Sequence, residues 1–183
     1  MLRVTCNVAN TIMMISALAA YLAALCFIVA TAWAGWMDLS TMKIRNEIIV
    51  FLLAAYAALA PLAGVSVAEI GWNAAAAMSV FSAMFLFFCL GWIGGGDAKL
   101  TSVVTLWIGA DHALDYLVYT ALFGGALTLI IIQFRSIGLP VRYKGTSWIA
   151  RLHATNSGVP YGAAIAAGAL FIFPHTAWVT ALS

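Results

Sequence analysis

GGGDAKLTSVVTLWIGA, residues 94–110, decides the topology of the chain. Three glycines and an Asp-Ala-Lys triplet lead into a short apolar run, Leu100 to Ala110, which alone reaches only about 16 Å. The hydrocarbon core of a bilayer is ~30 Å thick. Counted together with Asp97 and its neighbours, the segment just crosses. Crossing here keeps the basic residues further along on the same side as those before it. Failure to cross sends them to the other side.

The rest of the sequence leaves little doubt about the solvent. The chain is 65% hydrophobic and 8% charged, with a mean hydropathy of +1.06. Soluble domains carry about 25% charged residues, so too few charges remain here to cover a globule in water. Five further apolar stretches fall at about residues 12–33, 47–64, 73–93, 115–134 and 160–181. Each is long enough to span as a helix. Pro174 lies near the far end of the last one, where a kink is expected. The fold class expected is an all-α, polytopic membrane helix bundle of about six transmembrane helices, with residues 1–183 forming one domain.

Charge gives the direction. With six spans, Lys43, Arg45, Lys99, Arg135, Arg142, Lys144 and Arg151 all fall on one face, and the other has Arg3 with Glu69, Asp111 and Asp115. The positive-inside rule makes the first face cytoplasmic and puts both termini outside. The first span is read as retained: its apolar core of about 20 residues exceeds that of a signal peptide, although Ala30 and Ala32 offer small residues for cleavage.

Other features exclude function classes. A net charge of +2 gives no support to nucleic acid as a partner. Cys6, Cys26 and Cys89 are far apart and form no CxxC pair, so no metal site is expected. The alanines at 74–77, and Gly124 with Gly125, read as close helix packing. The long loop over 135–159 contains Gly138, Pro140, Gly145 and Gly158, with the tract SWIARLH at 147–153. That tract reads in two ways. It lies along the membrane with Trp148 and Ile149 down and Arg151 toward lipid phosphates, or it is a solvated basic loop.

Asp97 and Asp38 stand out next. Asp97 sits at the cytoplasmic junction of the third and fourth spans, and Asp38, in WMDLSTMKIRN, at the cytoplasmic end of the first. Each has a bland reading: Asp97 as a helix N-cap, Asp38 as an interfacial acid offset by Lys43. Jointly the bland readings weaken, because acids near hydrocarbon are costly and mark function. Two carboxyls in a low-dielectric site share a proton. One then activates water while the other hydrogen-bonds a carbonyl, which is the chemistry of amide hydrolysis without metal. Gly94, Gly95 and Gly96 suit it. They let a substrate backbone come close and allow unwound chain that would aim Asp97. Glu69, Asp111 and Asp115 face the other side, and Glu47 opens the second span, where an acid is favourable.

These pieces together resemble the type IV prepilin peptidases, membrane aspartic proteases with a GxGD motif. The short, single-domain form associated with Flp-type pilus assembly is the most similar. Four pieces agree in order: Asp38 followed by Lys43-Ile44-Arg45-Asn46, the run Gly94 to Leu100, the basic loop, and Val159-Pro160-Tyr161-Gly162 opening the last span. The resemblance implies that Asp38 and Asp97 are catalytic. It implies a pilin precursor as substrate, with a short basic leader cut at the inner face of the bacterial cytoplasmic membrane. Two departures stand: Ile44-Arg45-Asn46 replaces the family's frequent Ile-Pro-Asn, and the cytoplasmic cysteine-rich segment of larger members is missing. Cleavage without N-methylation, and so without a cofactor, is therefore expected, with no separate methyltransferase or zinc segment. Lys99 either tunes Asp97 or anchors its helix at headgroups, the anchor being preferred. Anionic lipid is the partner expected for the basic loop, since the leader is itself positive.

Two rival classes remain open: a proton-coupled transporter, in which the aspartates relay protons, and a secretion-machine scaffold, in which they cap helices. His112, His153 and His175 have no nameable partner and read as surface residues.

Overall fold

A computed structural model describes residues 2–137, 147–154 and 157–180, and among these every regular element is helical. The helices are α1 (Leu2–Thr41), α2 (Asn46–Leu62), α3 (Val67–Cys89), α4 (Gly95–Ile108), α5 (Ala113–Ser136), α6 (Ser147–His153), α7 (Tyr161–Ile172) and α8 (Ala177–Thr180). A 3-10 turn, Phe173–His175, joins α7 to α8 at the expected proline kink. Four stretches are long and apolar enough to cross a membrane: Asn10–Thr41, Val67–Cys89, Ala113–Ser136 and Tyr161–Thr180. Asn46–Leu62 is a shorter apolar helix. The chain folds as a helical membrane bundle. Gly138, Pro140, Arg142, Lys144 and Gly145 of the basic loop lie outside the described residues.

Helix α4 accounts for the ambiguity of residues 94–110. It has 14 residues, and nine of them from Ala98 to Ile108 are buried. A helix enclosed on nearly all sides by other helices need not match the lipid thickness, because its neighbours meet the lipid. Its hydroxyls are satisfied within the helix: Ser102 Oγ donates to Ala98 O at 2.7 Å and Thr105 Oγ1 to Thr101 O at 2.8 Å. Helix α3 is the opposite case. It buries no residue and lies against α4 at the outside of the bundle. Its start is fixed by a capping box, with Glu69 N–H on Ser66 Oγ and Ser66 N–H on Glu69 Oε2.

Two kinds of contact hold the bundle. One is a seam of small residues between α1 and α7. A β-carbon on Gly35 would lie 2.7 Å from Ala166 Cβ, so the backbones approach as closely as glycine allows. The other is an aromatic cluster. Phe27 of α1 stacks on Phe173 at 4.4 Å, and Trp107 of α4 lies 5.4 Å from Phe27, 5.5 Å from Tyr56 of α2 and 5.1 Å from Trp178 of α8. Trp107 Nε1 donates to Leu52 O at 3.1 Å and Trp178 Nε1 to Trp107 O at 2.8 Å, so both indoles are satisfied. This cluster locks α1, α2, α4 and the α7–α8 unit together, and with them the helix ends that form the site.

Several sequence expectations need correction. The apolar run of 12–33 underestimates α1, which continues to Thr41 and carries Asp38 near its end. Ala74 and Ala77 belong to the face of α3 that packs on α4, and they also line a cleft of about 410 Å³ with Ile49, Leu53, Val103 and Leu106. Gly124 does pack closely, with Tyr161 Cε1 2.7 Å from a β-carbon placed on it, whereas Gly125 meets nothing within 4 Å. The SWIARLH tract is a helix, but Trp148 pairs with Trp36 at 6.4 Å and Arg151 Nη1 donates to Ser40 O at 3.3 Å. The arginine thereby meets an orphan carbonyl at the end of α1. Gly158 meets nothing within 4 Å.

Candidate active site

Four chain segments meet at one end of the bundle: the end of α1, the turn into α2, and the first turns of α4 and α7. Asp38 is on the first, Ile44 on the second, Asp97 on the third and Gly162 on the fourth. Asp38 is 5% exposed, and its Oδ2 accepts a hydrogen bond from Gly162 N–H at 2.7 Å. A β-carbon on Gly162 would sit 2.8 Å from Asp38 Cβ and 2.9 Å from Ile44 Cδ1, so only glycine lets α7 start here. Helix α1 ends just beyond Asp38 through Met42, at φ 53°, whose N–H bonds Asp38 O at 2.8 Å. A non-glycine residue in the left-handed region is strained, and this one sets where the chain leaves α1.

Asp97 is the third residue of α4 and half-buried. Its carboxylate folds back over Gly94, with Oδ2 3.0 Å from a β-carbon placed there, and the Gly94 N–H faces it. The capping reading of Asp97 is thus met in part: it serves the helix start from inside the first turn, while the N-cap residue itself is Gly94. The fold brings these two acids, 59 positions apart, to the same end of the bundle and within electrostatic reach of one another. Ile44 bridges them. Its side chain fills the space beside Gly162 and beside Gly96, where a β-carbon would lie 3.1 Å away.

The glycines act differently from expectation. Gly95 and Gly96 are the first residues of α4, not unwound chain. The left-handed glycine is Gly91, at φ 76°. Gly94 is exposed and extended, at φ −74° and ψ 146°, so its backbone is open to a neighbouring strand. A β-carbon on Gly95 would lie 3.2 Å from the Phe88 ring of α3. Lys99 turns to Asn46, with Nζ donating to Oδ1 at 3.1 Å, and so ties α4 to the start of α2. Asn46 and Gly162 are the hydrogen-bond partners of Lys99 and Asp38 that no residue-type reasoning singled out, although both stand in the pieces of sequence quoted above. A backbone N–H has no letter of its own.

Two of the histidines have partners. His112 Nδ1 lies 3.8 Å from Asp115 Oδ2, and His153 Nε2 lies 2.8 Å from Ile137 O with its ring edge-on to Phe134. His112 and His175 share a cavity of about 390 Å³ at the other end of the bundle with Glu69, Asn73 and Asp111. No group of three potential metal ligands occurs among the described residues. Cys26 and Cys89 are free.

Residues 22–129, more than half of the chain, match the sequence model of the type IV leader peptidase family. The chain belongs to the type IV leader peptidase family. No curated protein and no solved structure matches it. The leader peptidase match contains Asp38, Ile44 and Asp97 and ends before α6 and α7. With its apolar helices, this leader peptidase is a multi-pass membrane protein, and its family's chemistry is peptide hydrolysis.

Proposed function

We propose that the protein is an aspartic endopeptidase that removes the short basic leader from Flp-type prepilins, with Asp38 and Asp97 as the catalytic pair. One observation carries this reading: two carboxyls from distant helices share one enclosed end of a membrane bundle, within electrostatic reach and held by backbone donors. A structural acid would be better neutralised by a cation than by a second acid.

The ionised carboxyl takes a proton from water, and the water oxygen bonds the scissile carbonyl carbon. The protonated carboxyl hydrogen-bonds the carbonyl oxygen and stabilises the diol. The C–N bond then breaks as the leaving amine takes a proton, and the pair returns to its singly protonated state. Gly94 offers extended main chain to a substrate strand, and Gly162 fixes the face that Asp38 presents. The excess of basic residues at this end supports a cytoplasmic position for it, where a leader emerges. Neither metal nor methyl donor takes part.

The test is processing of a co-expressed Flp-type precursor. Asp97→Asn is expected to leave the precursor uncut, because asparagine keeps the helix start but cannot carry the proton. Continued processing would favour the scaffold reading. A transporter would process no precursor in any form.

A further inference from the structure

Arg135, in the last turn of α5, binds one stretch of chain three times. Its Nε donates to Leu152 O at 2.8 Å, and its Nη2 donates to Ser157 Oγ and Gly158 O, both at 2.9 Å. Ser157 is itself fixed, with Oγ on Arg151 O at 2.6 Å and Ala154 O at 2.7 Å. Gly162, four residues beyond Gly158, donates to Asp38. The residues between leave little slack. Pro160 is fully buried and caps α7 at φ −73°, where its ring fixes that angle. The Tyr161 ring rests on Gly124 of α5. One guanidinium on α5 therefore sets where α7 begins, and the start of α7 sets the Asp38 carboxyl.

We propose that Arg135 is a positioning residue for cleavage, acting through Ser157, Gly158 and the Gly162 N–H on the orientation of Asp38. This rests on the reading of Asp38 as one of the catalytic pair. The plainer role for a cation at a span end is charge alone, as an inside signal or a lipid contact. Geometry separates the two. A charge role needs no directional bonds, whereas three acceptors at bonding distance demand the planar fork that lysine lacks.

Arg135→Lys keeps the charge and removes the fork. In purified enzyme of unchanged melting temperature, kcat is expected to fall about tenfold or more with KM held. The acidic limb of the pH–rate profile is expected to move by about half a unit or more, because the donor set of a reacting carboxyl has changed. An unmoved limb overturns the proposal, with or without a loss of rate, since less folded enzyme lowers a rate without moving its profile. Should Arg135→Lys not fold, Ser157→Ala, which removes one of the three acceptors, is held to the same criterion. Asp38→Asn separates the two levels. Cleavage by Asp38→Asn sinks the underlying reading, whereas an inactive Asp38→Asn beside an unmoved Arg135→Lys limb sinks only the role of Arg135.

Discussion

That Asp38 and Asp97 meet at one end of the bundle was legible because acids are rare in this chain and both fall at the same end of their spans. Their partners were not, since Gly162 contributes a backbone N–H and Ile44 contributes shape. Arg45 shows how far a single letter can mislead. The arginine in place of the family's proline suggested a looser turn. Yet Arg45 sits at φ −75° and ψ 136°, which proline adopts without strain, and its exposed side chain pairs with Glu47. Arg45→Pro is therefore expected to retain cleavage and to stabilise the protein by about 0.4–1 kcal/mol through the unfolded chain. Thermal melting in detergent reads this, and a lowered melting temperature would show that the Arg45 N–H or the ion pair matters more.

Among the elements, hydropathy reported where lipid is and not where helices end. Helix α1 outlasts its apolar run by about two turns because residues near its end face protein: Ala34 packs in the core and Asp38 meets α7. Helix α4 was the least readable span, being buried by neighbours on nearly every side. Of its glycines, Gly95 and Gly96 are helical where unwound chain was one expectation, and they lie in close contact with Phe88 and Ile44. The start of α7 is the most demanding of these contacts. Gly162→Ala would press a methyl against Asp38 Cβ, Asp38 Oδ2 and Ile44. A displacement of about 1 Å at a reacting group costs on the order of 10²-fold in rate, and that loss is expected here in folded protein. Gly125→Ala, which meets nothing, is expected to cleave at the parental rate. Comparable rates for both would show that the α7 start does not position Asp38.

Across the whole molecule, charge asymmetry proposes an orientation. In the described residues, Lys99 and Arg135 cluster with the aspartates, while Glu69 and Asp111 line the cavity at the opposite end. Cysteines introduced at Glu69 and Asp111 are expected to react with an impermeant maleimide in intact cells. One at Lys43 is expected to react only after permeabilisation. The reverse pattern would put the aspartates outside and remove the leader from their reach. The pair also fixes how the enzyme responds to its medium. A chelator is expected to leave the rate unchanged, and His112→Asn and His175→Asn are expected to keep the parental pH profile, because both histidines line the far cavity. Metal-restored activity would contradict a mechanism run by two carboxyls.

The most direct measurement is cleavage of a purified pilin precursor by the parent, Asp38→Asn, Asp97→Asn and the double variant, each verified as folded. Groups that act as one unit fail together. Each single change is therefore expected to lower kcat by about 10⁴-fold or more, with the double variant no worse than either. A single variant that keeps cleaving within tenfold of the parent would show that the two aspartates do not share the reaction.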